Sequence, residues 1–242
     1  MPEPNPSSFN WKPVASPRPI TLSGQYVTLE PLDAESHTAD LWEAVRGHDA
    51  LWTWLADGPF ASQAELRQLI EQRQAGSSAV FLAIVPATTG QPGPPRTGLR
   101  SWGGHAAGWA SYMRMEPAHG VIEVGNIMLS PMLQRTRAAT EAMYLMARHV
   151  FEDLGYRRYE WKCNALNEPS RRAALRYGFT FEGIFRQHMV IRDRSRDSAW
   201  FSMLDHEWPA RKAAFEAWLD PANFGENGLQ RRPLSAISAT EI

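Results

Sequence analysis

The segment from Gly120 to Leu154, GVIEVGNIMLSPMLQRTRAATEAMYLMARHVFEDL, constrains the fold of this chain more than any other. Val121 to Leu129 is an apolar run of strand length, and Ser130-Pro131 interrupts it. Beyond the turn the period changes to 3.6 residues. Ala139, Met143, Met146, Val150 and Leu154 fall on one stripe, which predicts an amphipathic helix over 134–154 with Gln134-Arg135-Thr136-Arg137-Ala138-Ala139 as its first turn. The first amides of a helix have no intrahelical acceptor, and the helix dipole makes that end positive. A buried strand that turns into a helix is therefore a ready-made anion site.

The rest of the chain supplies a mixed α/β frame around this unit. Residues 25–31 predict a first strand, and Leu41, Trp42 and Val45 place a helix over 34–46. A second helix over 62–75 begins with Ser62 and Glu65 at capping-box spacing. Strands are expected over 79–85, 108–115 and 121–129. After the long helix come a strand from Tyr156, a helix opening at Asn167-Glu168-Pro169 and stopping at Gly178, strands over 179–192 and 197–205, and a helix over 207–219. Residues 86–104 are too rich in Pro and Gly for helix or sheet and are expected to be a loop insertion between adjacent strands. Residues 1–19 and 221–242 are expected to be a flexible arm and tail around one domain over 20–220.

Composition narrows the function classes. A formal charge of −1 over 242 residues leaves no electrostatic footprint for nucleic acid or an anionic membrane. The single Cys163 cannot form an internal disulfide, and no Cys/His spacing suits a metal. No apolar run is long enough to span a bilayer, and the proline-rich start is unlike a signal peptide. A reduced, cytoplasmic enzyme is expected. Arg outnumbers Lys 22 to 3, and planar guanidinium forks suit phosphate.

Four stretches carry a family resemblance: LWTWLADGPF at 51–60, GNIMLSP with QRTRAATEA at 125–142, NEPSRRAALRYGF at 167–179, and FEGIFRQH at 181–188. Together they resemble the GNAT N-acetyltransferases, in particular the RimJ/RimL branch, over about residues 20–210. The resemblance implies a mostly antiparallel sheet of about seven strands, helices on both faces, and a splay between the two central strands. It also implies acetyl-CoA as co-substrate, no metal, and an amine acceptor. Homodimers are common among similar enzymes. The phosphate loop of this superfamily is Gln/Arg-x-x-Gly-x-Gly/Ala, so Gln134, Arg135, Thr136, Arg137, Ala138, Ala139 and Thr140 are expected to hold the pyrophosphate. Arg137 stands at the glycine position. There it either points away from the loop or adds a charge-assisted bond to phosphate.

Acyl transfer to an amine needs a base, oxyanion stabilisation and a proton for the thiolate. The resemblance suggests the backbone near Met128 or Leu129 as oxyanion donor, with a bulge at Gly125-Asn126 making the splay. Glu123, set among apolar residues, is the first candidate base, because burial raises a carboxyl pKa. Its structural alternative is an ion pair with Arg114. His188 is a second candidate or a packing residue. Asn167 is a helix N-cap, a pantetheine ligand, or both. Ser170 matches the family serine near the thioester sulfur. The usual tyrosine acid is absent, since Ala174 holds its place. Trp52, Trp54 and Phe60 are candidates for the acceptor wall or for the core. Arg172, like its neighbours Arg171 and Arg176, either meets the CoA 3′-phosphate or lies on a solvated face. Two alternatives stay open: an acyl-CoA-binding module without chemistry, and a different donor such as succinyl-CoA.

Overall fold

The computed structural model describes residues 10–88 and 103–238. They form one eight-stranded sheet in the order β1-β2-β3-β4-β5-β6-β8-β7. The strands are β1 (Leu22–Ser23), β2 (Val27–Pro31), β3 (Ala79–Pro86), β4 (Gly108–Glu116), β5 (Val121–Leu129), β6 (Arg158–Asn164), β7 (Thr180–Ile191) and β8 (Arg194–Leu204). Every neighbouring pair is antiparallel except β5 with β6. The sequence pattern predicts about seven strands. The additional one, β1, has two residues, too few to show a period.

Helices cover both faces. α1 (Ala34–Val45) and α2 (Gln63–Ala75) pack on one side, around Leu41, Leu66, Ile70 and Trp109. Ser62 caps α2, accepting the Glu65 amide, while the Glu65 carboxylate takes the amide of Ala61. On the other side lie α3 (Arg137–Arg148), α4 (Glu168–Arg176), α5 (Trp208–Leu219) and α6 (Leu234–Ser238). α3 is buried nearly all round, and its alanines let the sheet and α5 approach closely. Burying Met143, Leu145 and Met146 contributes about 1.5–3 kcal/mol each at most. The buried Glu141 carboxylate accepts the amides of Gln25 and Tyr26 at 2.9 and 2.6 Å and so fixes the start of β2.

Three expectations are corrected. The long helix starts at Arg137, not at Gln134, because Arg135 is left-handed (φ 61) and Thr136 is the extended N-cap, accepting the Ala139 amide at 3.1 Å. Its last turn, His149–Asp153, widens to a π-turn. The arm is anchored in its second half: Trp11 Nε1 donates to Ala118 O at 2.8 Å, and the Val14 amide to Pro117 O at 3.1 Å. The tail is structured as far as Ser238. The Asn223 side chain ties Trp218 to Arg232, and Leu234 and Ile237 are buried. Two apolar residues three apart suffice for a one-turn helix against a core, and the surrounding Gly, Ser and Pro hide them. Most of the 86–104 insertion lies outside the described residues.

Candidate active site

β5 and β6 pair only from Val121↔Arg158 to Val124↔Trp161, although β5 continues to Leu129 and β6 to Asn164. The strands separate where β5 bulges. Ser111 pairs with Gly125 but Trp109 with Met128, and Asn126 takes φ 49 to absorb the extra residue. Ser111 Oγ donates to Gly125 O at 3.0 Å and holds the bulge. Gly125 leaves room there for Met113, whose Sδ would lie 2.4 Å from an added Cβ and would have to move. The bulge and splay thus lie where the sequence puts them. The Met128 side chain is buried in the second core, and Leu129 O accepts from Gln134 Nε2 at 2.9 Å.

The loop beyond β5 is tightly wound. The amides of Leu133 and Gln134 both donate to Ser130 O, and that of Thr136 to Leu133 O. Gln134 and Arg135 are exposed, Thr136 and Arg137 half-buried, and Ala138, Ala139 and Thr140 buried. Arg137 does not face the loop mouth. Its guanidinium lies 3.3 Å over the Phe224 ring, with Nη1 3.3 Å from Tyr26 Oη. At the helix start its backbone stays by the loop while its guanidinium is engaged with Phe224 and Tyr26. Arg176 reaches Thr140 Oγ1 at 3.2 Å, whereas Arg172 is exposed beside Glu168. Arg176 is therefore the arginine of α4 next to the loop.

Asn167 caps α4 by accepting the Ser170 amide at 3.2 Å. Ser170 Oγ accepts from Trp161 Nε1 at 3.0 Å. Cys163 adjoins it; burial pushes this thiol up, against the bond from Ser170. Tyr177 is buried and stacked on Phe215.

The sheet face opposite α3 carries a ladder of charges, of which sequence reasoning foresaw only the Glu123–Arg114 pair. Glu123 Oε2 lies 3.2 Å from Arg114 Nε and 3.0 Å from Lys162 Nζ. Lys162 continues to Glu160 at 2.8 Å, Glu160 to Arg158 at 2.8 Å, and Arg158 to Glu182. The Lys162 ammonium also sits 3.6 Å over the Trp200 ring. Burial raises the Glu123 carboxyl above its ordinary value, and Lys162 and Arg114 pull the other way. Both cations sit on Oε2. The other oxygen, Oε1, adjoins Gly125, where an added Cβ would lie 3.3 Å from it.

His188 lies on the same face, with Nδ1 2.9 Å from Ser198 Oγ and its ring against Phe185 and Trp200. Burial, then Arg114, Arg196 and Lys162, hold its pKa below the usual histidine range, which keeps it neutral at pH 7. Trp52 is corrected to a core residue: it is 2% exposed, edge-on to Phe60 and tilted against Trp109. Phe60 is half-buried in the same cluster, and only Trp54 is exposed.

The sequence also gave no signal for Arg192. It forms a tight turn with Asp193 (φ 50 and 58), and from the tip of the β7–β8 hairpin it donates to the carbonyls of Ala56, Asp57 and Gly58. It fastens the hairpin to the 51–60 loop over the Glu123 face. Arg192→Ala is expected to raise the acceptor KM severalfold while shifting Tm by no more than about 2 °C, because the residue is exposed. Steady-state kinetics and a thermal melt check both. Among the described residues no group of His, Cys, Asp and Glu could hold a metal ion, and no helix is long and apolar enough to cross a membrane.

The profile of the acetyltransferase (GNAT) domain matches residues 27–180. The chain is similar to a GCN5-related N-acetyltransferase from Brucella melitensis at 43% identity and TM-score 0.86, over 95% of this chain and 99% of that one. It is similar too to a Chromobacterium violaceum ATCC 12472 protein described as a probable acetyltransferase of the GNAT family, at 36% identity and TM-score 0.74, over 86% and 98% of the two chains. No curated protein matches significantly.

Proposed function

Because this chain belongs to the GNAT acetyltransferase family, we propose that it moves the acetyl group of acetyl-CoA to a primary amine by direct attack in a ternary complex, as a RimJ/RimL-like member. The reading rests on one observation: β5 and β6 pair only as far as Val124 and Trp161 and then part, with the buried Glu123 carboxylate on β5 and Ser170, at the start of α4, bonded to Trp161 of β6. The diphosphate sits against the backbone at Gln134–Arg137, with positive dipole behind it. Pantetheine lies along the free edge of β5, and a backbone N–H near Met128 or Leu129 takes the developing oxyanion. Glu123 accepts the amine proton, directly or through one water. The amine nitrogen bonds to the carbonyl carbon, the C–S bond breaks, and the second nitrogen proton passes by way of the Ser170 hydroxyl to the departing thiolate, giving the amide and the free CoA thiol. His188, kept neutral and tied to Ser198, positions rather than titrates. Asn167 serves chiefly as the cap that orients Ser170, and Trp54 lies on the acceptor side.

Calorimetric titration with acetyl-CoA, followed by thiol release over a panel of primary amines, tests this. Absence of binding removes the proposal. Arg137→Ala separates the two roles considered for that residue. Its cation–π contact with Phe224 is worth about 0.5–2 kcal/mol, so stability should fall, while acetyl-CoA affinity stays within about threefold. A direct phosphate contact would instead cost about tenfold or more in affinity.

A further inference from the structure

On the reading above, the amine acceptor is the unassigned half of the reaction, and the charge ladder bears on it. Four cations (Arg114, Lys162, Arg158 and Arg196) and three carboxylates (Glu123, Glu160 and Glu182) share this side of the sheet. The carboxylates are all taken by the first three cations. Arg196, on β8 opposite Met189, is the surplus charge. It is half-buried, and its Nε is fully buried with no hydrogen-bond partner among the described residues. No described carboxylate lies within ion-pair distance of it. The adjacent Asp197 is engaged elsewhere, accepting the Gln187 amide at 2.7 Å. Arg196 is close enough to Glu123 and Arg114 to feel both charges, and Arg114 Nη2 reaches Met189, its cross-strand partner, at 3.9 Å. Farther along the same face of β8, Trp200 Nε1 is also buried and unpartnered. Unsatisfied buried donors are costly, and an uncompensated guanidinium more so. An anion supplied by the ligand removes that cost.

We propose that the acceptor is an amine that also carries a carboxylate, and that Arg196 is the specificity-determining residue that binds it. Arg114 and Lys162 are already neutralised by Glu123 and Glu160, so the carboxylate pairs with Arg196, the one of these four cations without an ion pair among the described residues. The amine is then directed toward Glu123. A polyamine would place further positive charge beside Arg114 and Arg196, so this arrangement selects against it.

The test begins with acetyl-CoA binding to the wild-type chain by calorimetry. No binding would overturn the acetyl-transfer reading and this inference with it. With binding established, kcat/KM is compared for L-alanine against L-alaninamide and for 4-aminobutanoate against butylamine. The carboxylated member is expected to be preferred by about tenfold or more. Arg196→Gln should abolish the preference through acceptor KM, with the acetyl-CoA Kd within about twofold, and Arg196→Lys should recover part of it. Three results would overturn the inference alone: equal use of the paired amines, no turnover of either carboxylated amine, or a loss confined to acetyl-CoA affinity in Arg196→Gln. The paired amines are compared on the wild-type chain, so that arm stands even where a variant folds poorly.

Discussion

Glu123→Gln is expected to lower kcat by about a hundredfold at pH 7 and to flatten its dependence on pH. The amine attacks only after losing a proton, and an amide cannot take it. In the wild-type chain the base works when ionised, so kcat should rise with pH through the Glu123 pKa. Burial holds that pKa above the ordinary carboxylate value, with Lys162 and then Arg114 opposing. The acid limb of the kcat profile should therefore lie above the usual glutamate range and vanish in the variant. The substitution keeps the side-chain shape, and both cations retain surroundings that tolerate them: Lys162 keeps Glu160, and Arg114 is partly exposed. The acetyl-CoA Kd should accordingly be unchanged. Turnover that is the same in both proteins from acid to alkaline pH would take Glu123 out of the mechanism.

Lys162→Met carries the largest expected loss of stability. The side chain is 6% exposed, and its ammonium lies between two buried carboxylates, 3.0 Å from Glu123 and 2.8 Å from Glu160. Removing one partner of a buried ion pair costs about 3–5 kcal/mol, because the remaining charges lose their compensation. For a chain of this size that lowers Tm by roughly 10 °C. The sign of the pH dependence follows from the same ladder. Without Lys162 the Glu123 carboxyl is raised further above its unfolded value, so the folded state binds the proton more tightly. The deficit should shrink as pH falls and grow as it rises. Adding Glu160→Gln should recover part of the loss, since the ladder then has one fewer uncompensated carboxylate. Calorimetric melts of the single and double variants at two pH values check this. A Tm within about 2 °C of wild type at neutral pH would mean the ladder contributes little.

Much of this fold was legible in the sequence because its signals are local. A 3.6-residue stripe from Ala139 to Leu154 makes a helix wherever it lies, and Ser62 and Glu65 cap a helix within four residues, whereas the bulge at Gly125-Asn126 is expected from the family resemblance. The turn between β5 and α3 was legible from local signals too, apart from where the helix starts. The left-handed Arg135 and the capping Thr136 moved the helix on to Arg137, a choice that depends on Ser130 and Leu133 winding the loop. Trp52 could not be assigned from sequence, because an aromatic in a loop joins a core or a binding wall according to what closes over it; here Phe60 and Trp109 do.

The sequence by itself thus determined the order of the main elements, the turn between β5 and α3, and Glu123 as a carboxylate in apolar surroundings. Only the tertiary structure decided that Glu123 shares one oxygen between Arg114 and Lys162, that Arg137 turns to Phe224, that Arg192 fastens the hairpin to the 51–60 loop, and that Arg196 Nε is buried without a hydrogen-bond partner among the described residues. The physical reason is range. Periodicity and capping act between residues three or four apart, whereas charge compensation and burial act between strands whose neighbours in space are tens of residues apart in the chain.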